Sequence, residues 1–170
     1  MDHLPAEVPD SAVPFFDPAE LALTREFLNA GYVLRPAADR AALDRIRDYL
    51  AASAARHLDL PAPTDAGAFL NNIHQQVDGT RLNDLRLAVF HDINAQDWLR
   101  PAYFATARDS VQTLIGNELA MQNRINFSIQ MAGDTSSLLA AHVDAFSGET
   151  PFQAVQWLPL VDVFETKAMF

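Results

Sequence analysis

The sequence predicts an α+β fold, with N-terminal helices packed on an antiparallel sheet contributed by the C-terminal part. Three observations lead there. Apolar residues between Asp17 and Leu114 recur at helical spacing. From Glu118 onward apolar and polar residues alternate with a period of two. The helices precede the strands and do not interleave with them, which is the order of an α+β layout. With 170 residues and 49% apolar content, the chain can bury a sizeable single core.

Each element has its own signal. Residues 1–16 are proline-rich and aperiodic, a loose N-terminal arm, and 17–170 read as one domain, helical over 17–115 and β over 116–170. Asp17-Pro18 opens a first helix, with Asp as N-cap, Pro at the first helical position and Glu20 three residues after the cap. Gly31 ends it, and Tyr32-Val33-Leu34 reads as a short strand. Asp39 caps a second helix, in which Leu43, Ile46, Leu50 and Ala54 form one apolar stripe opposite Asp44, Arg45, Arg47 and Asp48. Pro61 and Pro63 place 57–65 in a loop. Phe69, Leu70, Ile73 and Val77 keep helical spacing until Asp78-Gly79 breaks it. Leu82–Phe90 and Gln96–Leu114 read as two more helices, and Gly116-Asn117 as a turn. Beyond it, Arg124, Asn126, Ser128 and Gln130 alternate with Ile125, Phe127, Ile129 and Met131. Glu118–Met131 and Ala154–Phe164 are the predicted strands. The polar row of the first either faces water or lines the inside of a barrel beside a polar ligand.

Composition excludes several functions. A net charge of −10 and scattered basic residues, eleven arginines and Lys167, leave no basic patch for a nucleic-acid backbone. The absence of cysteine removes disulfides, thiolate metal sites and cysteine nucleophiles. No run approaches the roughly 18 apolar residues of a membrane span, and the N-terminus lacks a signal pattern. A cytoplasmic protein without membrane or nucleic-acid partners is expected. Gly-x-Ser-x-Gly elbows and phosphate-binding glycine loops are missing.

One motif carries chemistry. His142-Val143-Asp144 places an imidazole and a carboxylate two residues apart between the β-like runs, where both can hold neighbouring positions of one metal. With 22 acidic residues and five histidines such a pair arises readily by chance. His57-Leu58-Asp59 is a second instance, set between a helical pattern and a proline loop. His74 lies on the stripe of Leu70, Ile73 and Val77 and reads as a hydrogen-bonded core residue. His91 reads as a helix-end residue, and His3 and His57 as exposed. Trp98, Tyr103 and Phe104 read as core.

Four stretches give the chain a family resemblance: Gly116–Gln122, Phe127–Gln130, His142–Asp144 and Val155–Asp162. With a weaker match over Glu26–Val33, the sequence resembles the phytanoyl-CoA dioxygenase-like Fe(II)/2-oxoglutarate oxygenases. The bacterial branch associated with carbohydrate-biosynthesis gene clusters is the nearest in pattern. The resemblance implies helices packed on a double-stranded β-helix, a jelly-roll or cupin-like core. It implies Fe(II) as cofactor held by His142 and Asp144, 2-oxoglutarate as co-substrate, and dioxygen and a small molecule as the other reactants. It further implies that Gln130, Asn126 and Ser128 donate to the co-substrate or orient a ligand, and that Trp157 walls the pocket.

The match has a gap. The family uses a third ligand, a late histidine, and a basic residue beyond it for the far carboxylate of 2-oxoglutarate. No histidine follows Asp144, so the expectation is a truncated chain whose β-helix is incomplete. The alternatives are a non-catalytic oxygenase-like relic or binding module, and, less well supported, a cupin-like metal isomerase. A cut barrel would expose strand edges and apolar faces. Weak Fe(II) binding and poor solubility of this chain are therefore expected. Anaerobic metal titration of the purified protein checks this, and tight stoichiometric binding would count against it.

Overall fold

The computed structural model describes residues 16–131, 144, 148, 150 and 152–164. By contact they fall into two compact units that divide between Leu34 and Arg35. The first contains α1, Pro18–Ala30. Its N-terminus is a capping box, as the sequence indicates. Asp17 Oδ1 accepts from the Ala19 and Glu20 amides at 2.7 and 2.8 Å, and Glu20 Oε2 accepts from the Asp17 amide at 2.9 Å. Gly31 ends the helix at φ +78°, a left-handed conformation that glycine adopts without a Cβ penalty. The expected strand at Tyr32–Leu34 does not form, and Tyr32 and Leu34 stand 68% and 82% exposed.

The second unit is built around α2, Arg40–His57, which touches α3 (Ala66–Asn71), α4 (Leu82–Asn94) and α5 (Leu99–Ala105). Asp39 caps α2 through the Ala42 amide at 2.9 Å, and Asp65 caps α3 through the Ala68 amide at 2.8 Å. Ile46, Leu50, Ala51 and Ala54 of α2 are buried against Leu82, Leu85, Val89 and Ile93 of α4 and Leu99 of α5 in one core cluster. Each of these leucine, isoleucine and valine side chains contributes about 1.5–3 kcal/mol by leaving water. Arg45 stacks over the Trp98 ring at 4.1 Å, and Tyr49 meets that ring edge-on at 5.5 Å between centroids. The helix end shows why His57-Leu58-Asp59 is no metal pair. Asp59 has φ +58°, and the Asp59 and Leu60 amides turn back to the Arg56 and Ala55 carbonyls. It is the left-handed residue that closes α2.

The predicted helix at 96–114 is two helices, α5 and α6 (Arg108–Ile115), and the 69–77 pattern splits into α3 and a 3-10 turn at Ile73–Gln75. Proline at 101 sits in the first turn of α5, where its missing amide hydrogen costs nothing. Thr106 ends that helix, its hydroxyl donating to the Tyr103 carbonyl at 2.7 Å. Gly116 follows α6 at φ +106°.

The expected sheet is the main correction. The described residues contain six α-helices, one 3-10 turn and no strand, so neither the α+β class nor the incomplete jelly-roll core is realised in them. The alternation at 124–131 is real but serves another purpose. Ile129 is buried, Ile125, Phe127 and Met131 are half-buried on the helical core, and Arg124, Asn126, Ser128 and Gln130 are exposed. The segment lies extended, apolar side down, with no neighbouring strand. Helix side chains satisfy its backbone instead. Asn94 Nδ2 donates to the Ile125 carbonyl at 3.0 Å, and the Ile125 amide donates to Asn94 Oδ1 at 2.8 Å. The buried Arg86 guanidinium donates to the Ile129 carbonyl, and Arg100 to the Met121 carbonyl at 2.9 Å. The second extended stretch is held likewise. Tyr103 donates to the Gln156 carbonyl, Gln156 Nε2 donates to Thr106 Oγ1 at 2.7 Å, and the Asp162 amide donates to Asn71 Oδ1 at 3.3 Å.

Asn94→Leu keeps volume but removes both partners of Ile125, leaving polar backbone unmatched at about 1–3 kcal/mol per group. Urea unfolding is expected to show a stability loss in that range. Leu50→Ala, which opens the core itself, is expected to lose about 2–5 kcal/mol. A loss within error for Asn94→Leu would mean that the clamp contributes nothing.

Candidate functional site

The residues assigned from sequence all come from the second half of the chain. Asp144 is half-buried, and its Oδ2 accepts from Gln153 Nε2 at 3.2 Å. Its expected partner His142 lies outside the described residues. Asn126, Ser128 and Gln130 share the outer, exposed side of their segment. Trp157 is 47% exposed. Gln156, one position before it, turns inward onto Tyr103 and Thr106, so the alternation of an extended chain carries Trp157 outward. Among the described residues no three His, Asp or Glu side chains gather into a metal-sized group.

Burial pushes the Tyr103 hydroxyl up to about 12. It therefore stays a proton donor at any physiological pH and fixes the Gln156 carbonyl beneath Trp157. Asp78 shows the opposite effect. The Thr80 hydroxyl, then the Arg81 and Thr80 amides, hold its carboxyl below the usual range. Oδ1 accepts from all three, at 2.5, 3.1 and 2.8 Å, which sets the entry into α4.

The densest polar cluster is one that the sequence reading missed. Asp92 of α4 accepts on Oδ2 from Ser53 Oγ at 2.7 Å and Arg56 Nη2 at 2.5 Å, with His57 Nε2 at 2.8 Å. Its main-chain carbonyl accepts from the Tyr49 hydroxyl at 3.3 Å. Serine, histidine and aspartate meet here, but not as a nucleophilic relay. Ser53 is 1% exposed and donates to Asp92, not to His57. A nucleophile also needs open space for an electrophile, and buried Ser53 has none. The cluster is a clip between α2 and α4. A signal for it does exist in the spacing of Tyr49, Ser53, Arg56 and His57, which places all four on one helix face.

Of the remaining histidines, His3 lies outside the described residues and two are described. His74, expected in the core, is exposed on the 3-10 turn while Leu70, Ile73 and Val77 are buried. The turn breaks the helical register by which His74 would have shared their face. His91 is exposed in the last turn of α4, its ring edge-on to Phe90 at 5.6 Å, as expected for a helix-end residue.

Comparison with protein-family models, curated proteins and solved structures finds no match to this chain. No described helix is long and apolar enough to cross a membrane.

Asp92 has a pH consequence. Burial raises its pKa, but the hydrogen bonds from Ser53, His57 and Arg56 together outweigh burial and leave it below 3.8. The folded state then holds the carboxylate ionised where the unfolded chain would protonate it. The resulting stabilisation is complete above the ordinary value of 3.8 and drains away as pH falls through the lowered one. Asp92→Asn is expected to be less stable at neutral pH and to show a flatter decline in acid. Urea midpoints measured from about pH 6 down to pH 2 check this, and parallel acid limbs would refute it.

Proposed function

We propose that the chain belongs to an Fe(II)- and 2-oxoglutarate-dependent oxygenase acting on a small molecule, with a sugar-linked intermediate as the class its resemblance points to. The supporting observation is the His142-Val143-Asp144 pair, with an amide held on the carboxylate. Gln153 Nε2 on Asp144 Oδ2 is the kind of neighbour that orients a ligating carboxylate. Imidazole and carboxylate are the right donor types for non-haem Fe(II). They provide two of the three protein positions of such a centre, and no described group of three completes it. When bound, Fe(II) with 2-oxoglutarate supplies the power to oxidise an unactivated C–H bond.

The chain's own residues have separable tasks in this reading. His142 and Asp144 hold the metal. Asn126, Ser128 and Gln130, displayed in one row on a clamped segment, offer hydroxyl and amide donors to carboxylate oxygens of the co-substrate. Trp157 supplies an apolar wall from the second segment.

The test is succinate release. With excess Fe(II), 2-oxoglutarate and dioxygen, the wild-type protein is expected to form succinate above the metal-only background. His142→Ala and Asp144→Ala are each expected to abolish that excess. Turnover retained in both variants removes the pair from the metal site. Fe(II) binding that depends on the pair without any succinate favours the non-catalytic module instead.

A further inference from the structure

We propose that the outer edge of the extended segment 125–131 pairs with the same edge of a second copy of this chain. The two segments run antiparallel about a two-fold axis at Ser128. In an extended chain the N–H and C=O of one residue point to one edge, and those of the next residue to the other. The Ile125 amide and carbonyl and the Ile129 carbonyl point at α4, where Asn94 and Arg86 hold them. Asn126, Ser128 and Gln130 therefore present their peptide groups at the opposite edge. All three residues are exposed, and their peptide groups make no hydrogen bond among the described residues. Such a row of unpaired peptide groups is a template for another strand.

The segment matches itself when reversed. With the axis at Ser128, Asn126 falls opposite Gln130 of the copy, amide against amide. Ser128 meets its own counterpart. Each of these opposed residues exchanges both peptide hydrogen bonds with its partner. Between them Phe127 lies opposite Ile129, an aromatic and β-branched pair of the kind that stabilises neighbouring strands. Ile125 meets Met131 in the same way, apolar against apolar. Pairing with an unrelated strand would place no such condition on the segment, so the match selects a second copy. The contact is isologous and closes at two chains.

The charges agree. At a net charge of −10, two copies repel wherever their carboxylates meet. Residues 119–133 form the longest stretch of the sequence without Asp or Glu, and the segment lies within it. Residues 125–131 hold no charge and no proline, the usual devices that keep a strand edge from pairing. The pairing uses peptide groups, so the side chains of Asn126, Ser128 and Gln130 keep their outward direction. It requires neither His142 nor Asp144 and is independent of the iron centre.

Sedimentation equilibrium of the purified chain tests this. An edge of a few residues buries little area, so the dimer is weak. It is expected to be well populated at about 100 µM and dissociated at about 1 µM. Ser128→Pro removes an edge N–H that no described group accepts, at a place where proline is tolerated. It is expected to weaken dimerisation at least about tenfold. Ser128→Lys brings the net charge closer to zero, which by itself favours association. The introduced charge faces its own copy across the axis, so a loss of about tenfold is expected instead. Asn126→Lys with Gln130→Glu sets opposite charges face to face and is expected to strengthen the dimer. Asn126→Lys with Gln130→Lys sets like charges there and is expected to weaken it. Circular dichroism checks folding, and the lysine variants decide the matter if Ser128→Pro does not fold. A chain still monomeric at about 100 µM would overturn the proposal and leave the edge to a strand of another protein. Growth beyond two chains, a dimer that a folded Ser128 variant leaves intact, or equal affinities of the two double variants would overturn it as well.

Discussion

Peptide groups that leave water must find partners, and in the second half of this chain the partners are helix side chains. The spacing shows how the fit is achieved. Arg86 and Asn94 are eight residues apart on α4, or about 12 Å along a helix axis at 1.5 Å per residue. Ile129 and Ile125, the residues they hold, are four apart, or about 13 Å at 3.3 Å per extended residue. The two lengths agree. Arg100 on α5 then holds Met121, continuing the same antiparallel order. The helices thus measure out the register of the extended chain, as a neighbouring strand would do in a sheet.

That ruler is only as firm as α4, and α4 is fixed by α2. Apolar burial does most of this, through Ile46, Leu50 and Ala54 against Leu85, Val89 and Ile93. Burial is not directional, however, and a helix can slide on an apolar stripe. Asp92 removes that freedom by accepting from Tyr49 on its main chain and from Ser53, Arg56 and His57 on its side chain. It stands two residues before Asn94, so the clip on one side of α4 and the clamp on the other act on the same helical turn. Loss of the clip therefore reaches the extended segments through geometry, with no direct contact required.

Local rules made the helical part legible. Asp17 and Asp39 cap where their side-chain chemistry says they should, and the α2 stripe buries Ile46, Leu50 and Ala54 while Leu43 stays half-buried. The extended part was half legible. A period of two states that one side of a segment is buried, and Ile129 against Ser128 bears that out. It does not state what satisfies the backbone edges, and Asn94 or Arg86 could not be recognised as stand-ins for a strand from their own surroundings. His74 failed for a related reason: it lies within a 3-10 turn, whose spacing differs from the helical one that would have put it beside Leu70 and Val77. The Asp92 clip failed because its donors and acceptor come from helices far apart in sequence. Of the candidate metal site, the chemistry of His142-x-Asp144 was readable, and the amide on Asp144 was not.

The basic residues tie these themes together. Eleven of twelve are arginine, and the structure uses what lysine lacks. Arg86 spans a carbonyl with two nitrogens, Arg45 lays a flat cation on Trp98, and Arg56 shares a carboxylate oxygen with a serine and a histidine. Each use depends on a planar group with several fixed donors. An acidic chain that spends its few cations as structural connectors has little positive charge left to display. Arg47 engages its fork only in part: Nη2 meets Asp44 while Nε, shielded from water, meets no described group. A charged donor shut away from water without an acceptor costs stability, a cost that the buried apolar stripe of the same helix has to offset.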